Sequence, residues 1–178
     1  MNWLKSLFQS IQMQSDIIVI NNFLSREKCQ QLIELLNNYS FCKAHQYENG
    51  RCNKEIFIED AKIKSIFLEP IKNLRVRRFK KILEIHEPFE FYKYEKGDFI
   101  LPHEDSSIIF KSGVESNFTA LVYLNDDFIG GSTFFTKLNK KITPTTGTLL
   151  LFKHNLVHES QKIQYGTKYI YRSNWLIG

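Results

Sequence analysis

Three side chains of this chain have the types and spacing to hold one metal ion. His103 and Asp105 flank Glu104. In a strand, residues two apart point to the same face, so His103 and Asp105 reach one ion while Glu104 turns away. A second histidine, His158, follows far downstream, beyond several strand-like runs. One imidazole and one carboxylate close in sequence, joined by a distant imidazole, form the 2-His-1-carboxylate donor set of non-haem Fe(II) centres. Three protein ligands on one face leave positions open for a bidentate co-substrate and for O2. Mixed nitrogen and oxygen donors hold Fe(II) without the thiolates that favour zinc. An HxD tripeptide alone is common by chance, so its surroundings must carry the argument.

Those surroundings are ordered. Upstream, Tyr94-Glu-Lys-Gly97 precedes the ligand run Ile100-Leu-Pro-His103-Glu-Asp105. Next comes Ala120-Leu-Val-Tyr-Leu-Asn125-Asp-Asp, then Gly130-Gly131-Ser-Thr-Phe134-Phe135, a strand, a turn and another strand. Pro144-Thr-Thr-Gly147-Thr-Leu-Leu-Leu-Phe152 leads into His158. After it, Lys168 and Arg172 fall on one face of a further strand. A buried cation beside the metal suits a dicarboxylate co-substrate. The 2-oxo acid end would chelate the iron and the far carboxylate would pair with the cation.

In these motifs residues 92–176 resemble the catalytic core of the prolyl-4-hydroxylase-type Fe(II)/2-oxoglutarate-dependent dioxygenases. The YxxG and HxD element, the YLNDD, GG and F element, the P, G and LLF element and the HES and GTK element occur in that family's order. The resemblance implies a double-stranded β-helix (jelly roll, cupin-like) core and Fe(II) bound by His103, Asp105 and His158. It implies 2-oxoglutarate held by a basic residue of the last element and by a tyrosine such as Tyr94. Lys168 keeps the spacing from the distal histidine common in prolyl hydroxylases, whereas the planar fork of Arg172 suits a carboxylate better. Both stay open as anchor, and the other is expected to pair with Asp or Glu or to touch substrate. His154 competes with His158, but His158 opens the HES element, so His154 is expected as a solvated loop residue. The implied activity is hydroxylation of a prolyl residue or a related amino-acid, peptide or protein substrate, with 2-oxoglutarate and O2 converted to succinate and CO2 and ascorbate as a candidate reductant. A carboxylate at Asp105 favours hydroxylation over halogenation. The alternatives are a non-catalytic jelly-roll binding module and a nucleic-acid demethylase of the same superfamily.

The elements that must position these groups read as follows. Residues 2–14 show helical spacing of apolar side chains, and Ile17–Ile20 reads as a strand. Ser25 can cap a helix over 26–38 with Cys29, Leu32, Ile33, Leu35 and Leu36 inward. Asn49-Gly50 signals a hairpin. Residues 60–82 look helical, with Pro70 expected to kink or break them. From residue 83 short aromatic and β-branched runs alternate with turns, at 83–95, 98–103, 118–125, 132–135, 148–153 and 168–176, which indicates a β sandwich or barrel-like core. The chain is therefore expected to be mainly β with N-terminal helices. A helical lead-in over about 1–82 and a core over about 83–178 would form one domain.

Composition agrees. The 178 residues suit one domain, and 14% are aromatic, led by 15 Phe and 8 Tyr, which fit half-buried sheets. The net charge of +5 is mild and scattered. One basic run, Arg75, Arg77, Arg78, Lys80 and Lys81, lacks an aromatic platform, which argues for a solvated helix face over a nucleic-acid contact. Gly130-Gly131 reads as a hairpin turn because no helix pattern follows it. Three cysteines without metal or CxxC spacing fit a reduced, cytoplasmic protein. No apolar run reaches the length of a membrane span, and oligomeric state leaves no mark on the sequence.

Overall fold

The computed structural model describes residues 16–44, 50–74 and 82–178. The N-terminal helix expected over 2–14, Asn49 of the hairpin signal and the basic run over 75–81 lie outside the described residues. In chain order the strands are β1 (Ile17–Ile20), β2 (Cys42–Lys43), β3 (Lys54–Ile58), β4 (Ile82–Ile85), β5 (Phe89–Tyr94), β6 (Ile100–His103) and β7 (Phe118–Tyr123). There follow β8 (Ile129–Gly130), β9 (Thr133–Phe135), β10 (Lys140–Ile142), β11 (Leu149–Lys153), β12 (His158–Ser160), β13 (Ile163–Tyr165) and β14 (Lys168–Ile177). Helices α1 (Arg26–Leu36) and α2 (Ala61–Asn73) precede β4.

The larger sheet runs β1-β11-β7-β14-β5-β3-β2, with β4 also on β14; the smaller runs β10-β9-β12-β6, and β13 pairs with β8. All these pairings are antiparallel. The two main sheets face each other across Tyr92, Leu121, Tyr123, Phe152 and Ile170 on one side and Ile100 and Phe135 on the other, with Ile163 of β13 in the same cluster. This is the mainly β, jelly-roll architecture the motifs imply.

Strands at the centre of the larger sheet are buried on both faces, so they read as continuous apolar runs rather than alternations. Leu150 and Phe152 face the smaller sheet, while Leu149 and Leu151 face the helices. On the helix side, α1 contributes Cys29, Leu32 and Leu36, and α2 contributes Ile63 and Phe67. Phe67 packs 4.4 Å from Tyr171 and 5.6 Å from Phe89, centroid to centroid. Truncating such a ring to alanine typically costs about 3–5 kcal/mol. The aromatic excess is therefore core mass.

Local signals set the helix starts. Ser25 accepts the amide hydrogen of Lys28, and Asp60 accepts those of Lys62 and Ile63. The expected end of the second helix is corrected, and of the two outcomes expected at Pro70 the break does not occur. Helix α2 runs through Pro70 without breaking there, and it ends at Asn73, with extended Leu74 closing it through a bond from its amide to the Ile71 carbonyl. The single run expected over 83–95 divides at His86–Pro88, because β4 and β5 pair with different stretches of the long β14.

Gly130 and Gly131 are not the tip of a hairpin. Gly130 pairs in β8 with Ile163 of β13, and a Cβ there would sit 2.2 Å from the Lys162 carbonyl oxygen. The close backbone approach, rather than a tight turn, requires glycine.

Candidate active site

Strand pairing assembles the triad. In the smaller sheet β12 lies antiparallel to β6 with His158 directly opposite His103, and their ring centroids are 4.4 Å apart. Asp105 follows β6, its amide donating to the His154 carbonyl at 3.0 Å, which swings the carboxylate back between the two rings. Asp105 Oδ1 lies 3.9 Å from His103 Nε2, and Oδ2 lies 3.7 Å from His158 Nε2. One donor atom from each of the three residues lies within 4.8 Å of the others.

The histidines are set up as ligands. His103 Nδ1 bonds the Leu101 carbonyl at 2.8 Å, and His158 Nδ1 bonds the Leu156 carbonyl at 2.9 Å. Each ring therefore keeps its proton on Nδ1 and presents a bare Nε2 lone pair, the outer-shell pattern of metal-binding histidines. Burial lowers the pKa of His158, partly offset by Asp105. Burial pushes the Asp105 carboxyl up, but Arg172, His158 and the Thr119 hydroxyl together hold it down to about 2. The donor set thus fits a divalent, oxygen- and imidazole-loving cation such as Fe(II).

Around it lies a cavity of about 520 Å³, within the usual range for small-molecule sites. Strand β14 lays Lys168, Ile170, Arg172 and Asn174 along one of its walls, each pointing the same way because alternate residues share a face. The two cations on this wall have different environments. Arg172 bridges two carboxylates, Nη1 to Glu90 Oε2 at 3.2 Å and Nη2 to Asp105 Oδ1 at 3.1 Å. Glu90 also receives the hydroxyl of Tyr92. Lys168 is 1% exposed, and among the described residues no carboxylate lies within ion-pair distance of it. Its ammonium donates to the Gly131 carbonyl at 2.6 Å and to Ser160 Oγ at 3.0 Å. It also stands 4.7 Å from the Tyr94 ring centroid and 5.8 Å from that of Tyr123. Burial alone lowers its pKa to about 7.

Tyr94, expected beside the co-substrate, lines the cavity beside Lys168 and Ser160. Burial raises its pKa, so the phenol stays protonated and able to donate. Asn125, in the turn before β8, bonds the Thr167 carbonyl and the Tyr169 amide. That clamp fixes where β14 begins and hence the position of Lys168.

The expectation for His154 is overturned. It is 8% exposed rather than solvated, with Nδ1 2.8 Å from Thr119 Oγ1 and Nε2 2.9 Å from Ser116 Oγ. Thr119 in turn donates to Asp105 Oδ2 at 2.6 Å. Sequence reasoning also passed over Glu90, Tyr92 and Arg51. Arg51 lines the cavity mouth over the Tyr92 ring, braced by Glu55 at 2.9 Å. Glu90 stands opposite Arg172 only through the β5–β14 register. Arg51 left no local signal.

Gly131 offers a test of the Lys168 seat. A Cβ there would meet Ile163 Cδ1 at 2.4 Å, Phe128 Cε2 at 3.0 Å and Lys168 Cδ at 3.2 Å, at a φ of +65°. Gly131→Ala is expected to destabilise the fold by roughly 2 kcal/mol or more, the range of overpacking plus a strained φ, and to displace the ammonium. Thermal melting reads the first effect and titration with 2-oxoglutarate the second.

Residues 89–176 match the family model described as the 2OG-Fe(II) oxygenase superfamily. The chain is 27% identical over 155 residues to the "Putative prolyl 4-hydroxylase" of Acanthamoeba polyphaga mimivirus, a match that covers 81% of this chain and 62% of that protein. The chain thus spans less than two thirds of that relative. Among solved structures it is similar to the viral collagen prolyl hydroxylase of Paramecium bursaria Chlorella virus-1 in its 2-oxoglutarate complex. That match has a TM-score of 0.69 and 20% identity, over 90% of this chain and 94% of the other. It is also similar to the Trichoplax adhaerens prolyl hydroxylase in complex with a hypoxia inducible factor peptide fragment. Here the TM-score is 0.67 with 22% identity, over 90% and 83% of the two chains.

Proposed function

We propose, from the premise that this chain belongs to the 2OG-Fe(II) oxygenase superfamily, that it is an Fe(II)- and 2-oxoglutarate-dependent dioxygenase acting on a prolyl residue of a peptide or protein, or on a related amino acid. The reaction balances as substrate C–H plus 2-oxoglutarate plus O2 giving substrate C–OH, succinate and CO2. The observation that carries this reading is a buried ammonium without a carboxylate partner among the described residues, Lys168, facing the same cavity as the His103, Asp105 and His158 donors.

In this reading His103, Asp105 and His158 hold the iron. When bound, Fe(II) supplies the oxygen activation that couples decarboxylation of the co-substrate to hydroxylation. Lys168 receives the far carboxylate of 2-oxoglutarate, joined by the hydroxyl of Ser160, which its ammonium already bonds, and by that of Tyr94, whose ring stands 4.7 Å from the ammonium. Arg172 is spent on Glu90 and Asp105 and holds the ligand carboxylate instead. Tyr123, Leu121 and Ile170 keep the co-substrate end dry, which strengthens the ion pair. The prolyl hydroxylase relatives, one of them solved with a peptide, support a peptide substrate. Ascorbate is the proposed reductant that keeps the metal ferrous, and the helices and jelly roll are proposed to act as one domain. No helix among the described residues is long and apolar enough to cross a membrane.

The test is a screen of proline-containing peptides and free amino acids, incubated with protein, Fe(II), 2-oxoglutarate and ascorbate and read by mass spectrometry. A gain of one oxygen on a prolyl residue, dependent on 2-oxoglutarate, is expected. Succinate release without oxygen gain on any proline-containing peptide would move the assignment to another substrate class.

A further inference from the structure

Behind the carboxylate ligand lies a hydrogen-bonded chain whose proton order the chemistry dictates. An ionised Asp105 can only accept, so the single hydroxyl proton of Thr119 goes to Asp105 Oδ2, at 2.6 Å. Thr119 Oγ1 then has only lone pairs to offer His154, 2.8 Å away, so His154 Nδ1 must carry the proton and donate it. The other ring nitrogen, Nε2, is left as an acceptor facing Ser116 Oγ at 2.9 Å. Ser116 Oγ in its turn receives the Ile108 amide hydrogen at 3.0 Å and has its own proton to give. Every donor therefore points one way, from the Ile108 amide through Ser116, His154 and Thr119 to Asp105. Bonds aligned in this sense polarise one another. The His154 carbonyl closes a second link by accepting the Asp105 amide at 3.0 Å.

Ser116, Thr119 and His154 are all buried. Ile108 belongs to the segment between β6 and β7 that lines the cavity mouth. On the opposite side of Asp105, Arg172 takes Oδ1. The carboxylate is thus held from both sides.

We infer that His154 is a positioning residue, which through Thr119 fixes the orientation of the Asp105 carboxylate for the metal and ties it to the segment at the cavity mouth. The inference rests on the metal-site reading above and adds to it a residue that touches neither metal nor substrate.

Mn(II) binding to the metal-free protein tests it, with Co(II) absorption spectra as a report on ligand geometry. Thr119→Val, near-isosteric but without the hydroxyl, and His154→Phe are each expected to weaken Mn(II) binding about ten- to hundredfold, the usual cost of losing an outer-shell partner, and to alter the Co(II) spectrum. The double variant should be no weaker than the poorer single one, since both cut one chain. Thr119→Ser restores the hydroxyl. His154→Asn places an amide donor where Nδ1 stood, whereas His154→Gln places one at Nε2. Recovery by Ser and Asn but not by Gln is the signature of the relay. Thr119→Val that binds Mn(II) like the wild type, or Gln and Asn that behave alike, would overturn it. If His154→Phe does not fold, the Thr119 pair and the Asn and Gln pair still decide. A wild-type protein that binds no Mn(II) would instead overturn the metal reading, and the relay with it.

Discussion

His103→Ala is expected to remove metal binding and 2-oxoglutarate turnover while leaving the fold in place. Its ring is the most accessible of the three donors, with a side chain 35% exposed on the edge strand β6. Its only other polar contact among the described residues, beyond the Asp105 carboxylate, is the Leu101 carbonyl. Stability should change by no more than about 1 kcal/mol, as for substitutions outside the core. His158→Ala would be less clean, because that ring is buried 4.5 Å from Phe152 and 5.8 Å from Phe135. Losing one of three ligands should cost more than the ten- to hundredfold of an outer-shell loss, so Mn(II) affinity should fall by more than about a hundredfold and succinate formation to background. A folded His103→Ala protein that binds Mn(II) normally would remove His103 from the site.

Lys168→Met is expected to raise stability and weaken co-substrate binding together. Burial has pushed the ammonium down to about pH 7, whereas an unfolded lysine titrates near 10.4. Between those values the unfolded chain binds one more proton than the folded one, so the stability of the metal-free protein rises with pH across that window. Methionine of similar volume removes the desolvation cost and should flatten that rise. Co-substrate binding runs the other way. The far carboxylate of 2-oxoglutarate needs the ammonium charged, so affinity should weaken as pH climbs above about 7, by up to tenfold per unit. Lys168→Met should weaken it by about a hundredfold at saturating Mn(II), the order of a lost charge-assisted contact of roughly 3 kcal/mol.

Arg172→Met makes the contrast. It strands Glu90 and Asp105, and breaking a buried pair typically costs about 3–5 kcal/mol of stability. Yet at saturating Mn(II) its 2-oxoglutarate affinity should stay within a few-fold of the wild type. Melting curves and titrations at several pH values separate the two variants. An Arg172→Met protein that loses the co-substrate while Lys168→Met keeps it would reverse the assignment.

Much of this was legible in the sequence because the information is local or periodic. His103 and Asp105 share a strand face, Lys168 and Arg172 share another, and the motif order implies the jelly roll that brings them together. The caps at Ser25 and the strand cores announce themselves by residue type. What stayed hidden depends on register and depth. Whether Lys168 or Arg172 was the uncommitted cation turned on Glu90, which only the β5–β14 pairing sets opposite Arg172. His154 looked like a loop residue because the turn after β11 is polar in sequence. Only the fold shows that this turn folds over Thr119 and encloses the ring. The split of 83–95 and the end of α2 likewise depend on which partner strand or backbone group is within reach.

The most direct test is 2-oxoglutarate turnover by the purified wild-type protein with Fe(II) and ascorbate, followed as succinate with and without O2. The predicted result is succinate formed only in the presence of O2 and Fe(II), even without a prime substrate, and lost in His103→Ala. No succinate from folded protein that has bound Fe(II) and 2-oxoglutarate would contradict the assignment of this site as a dioxygenase centre.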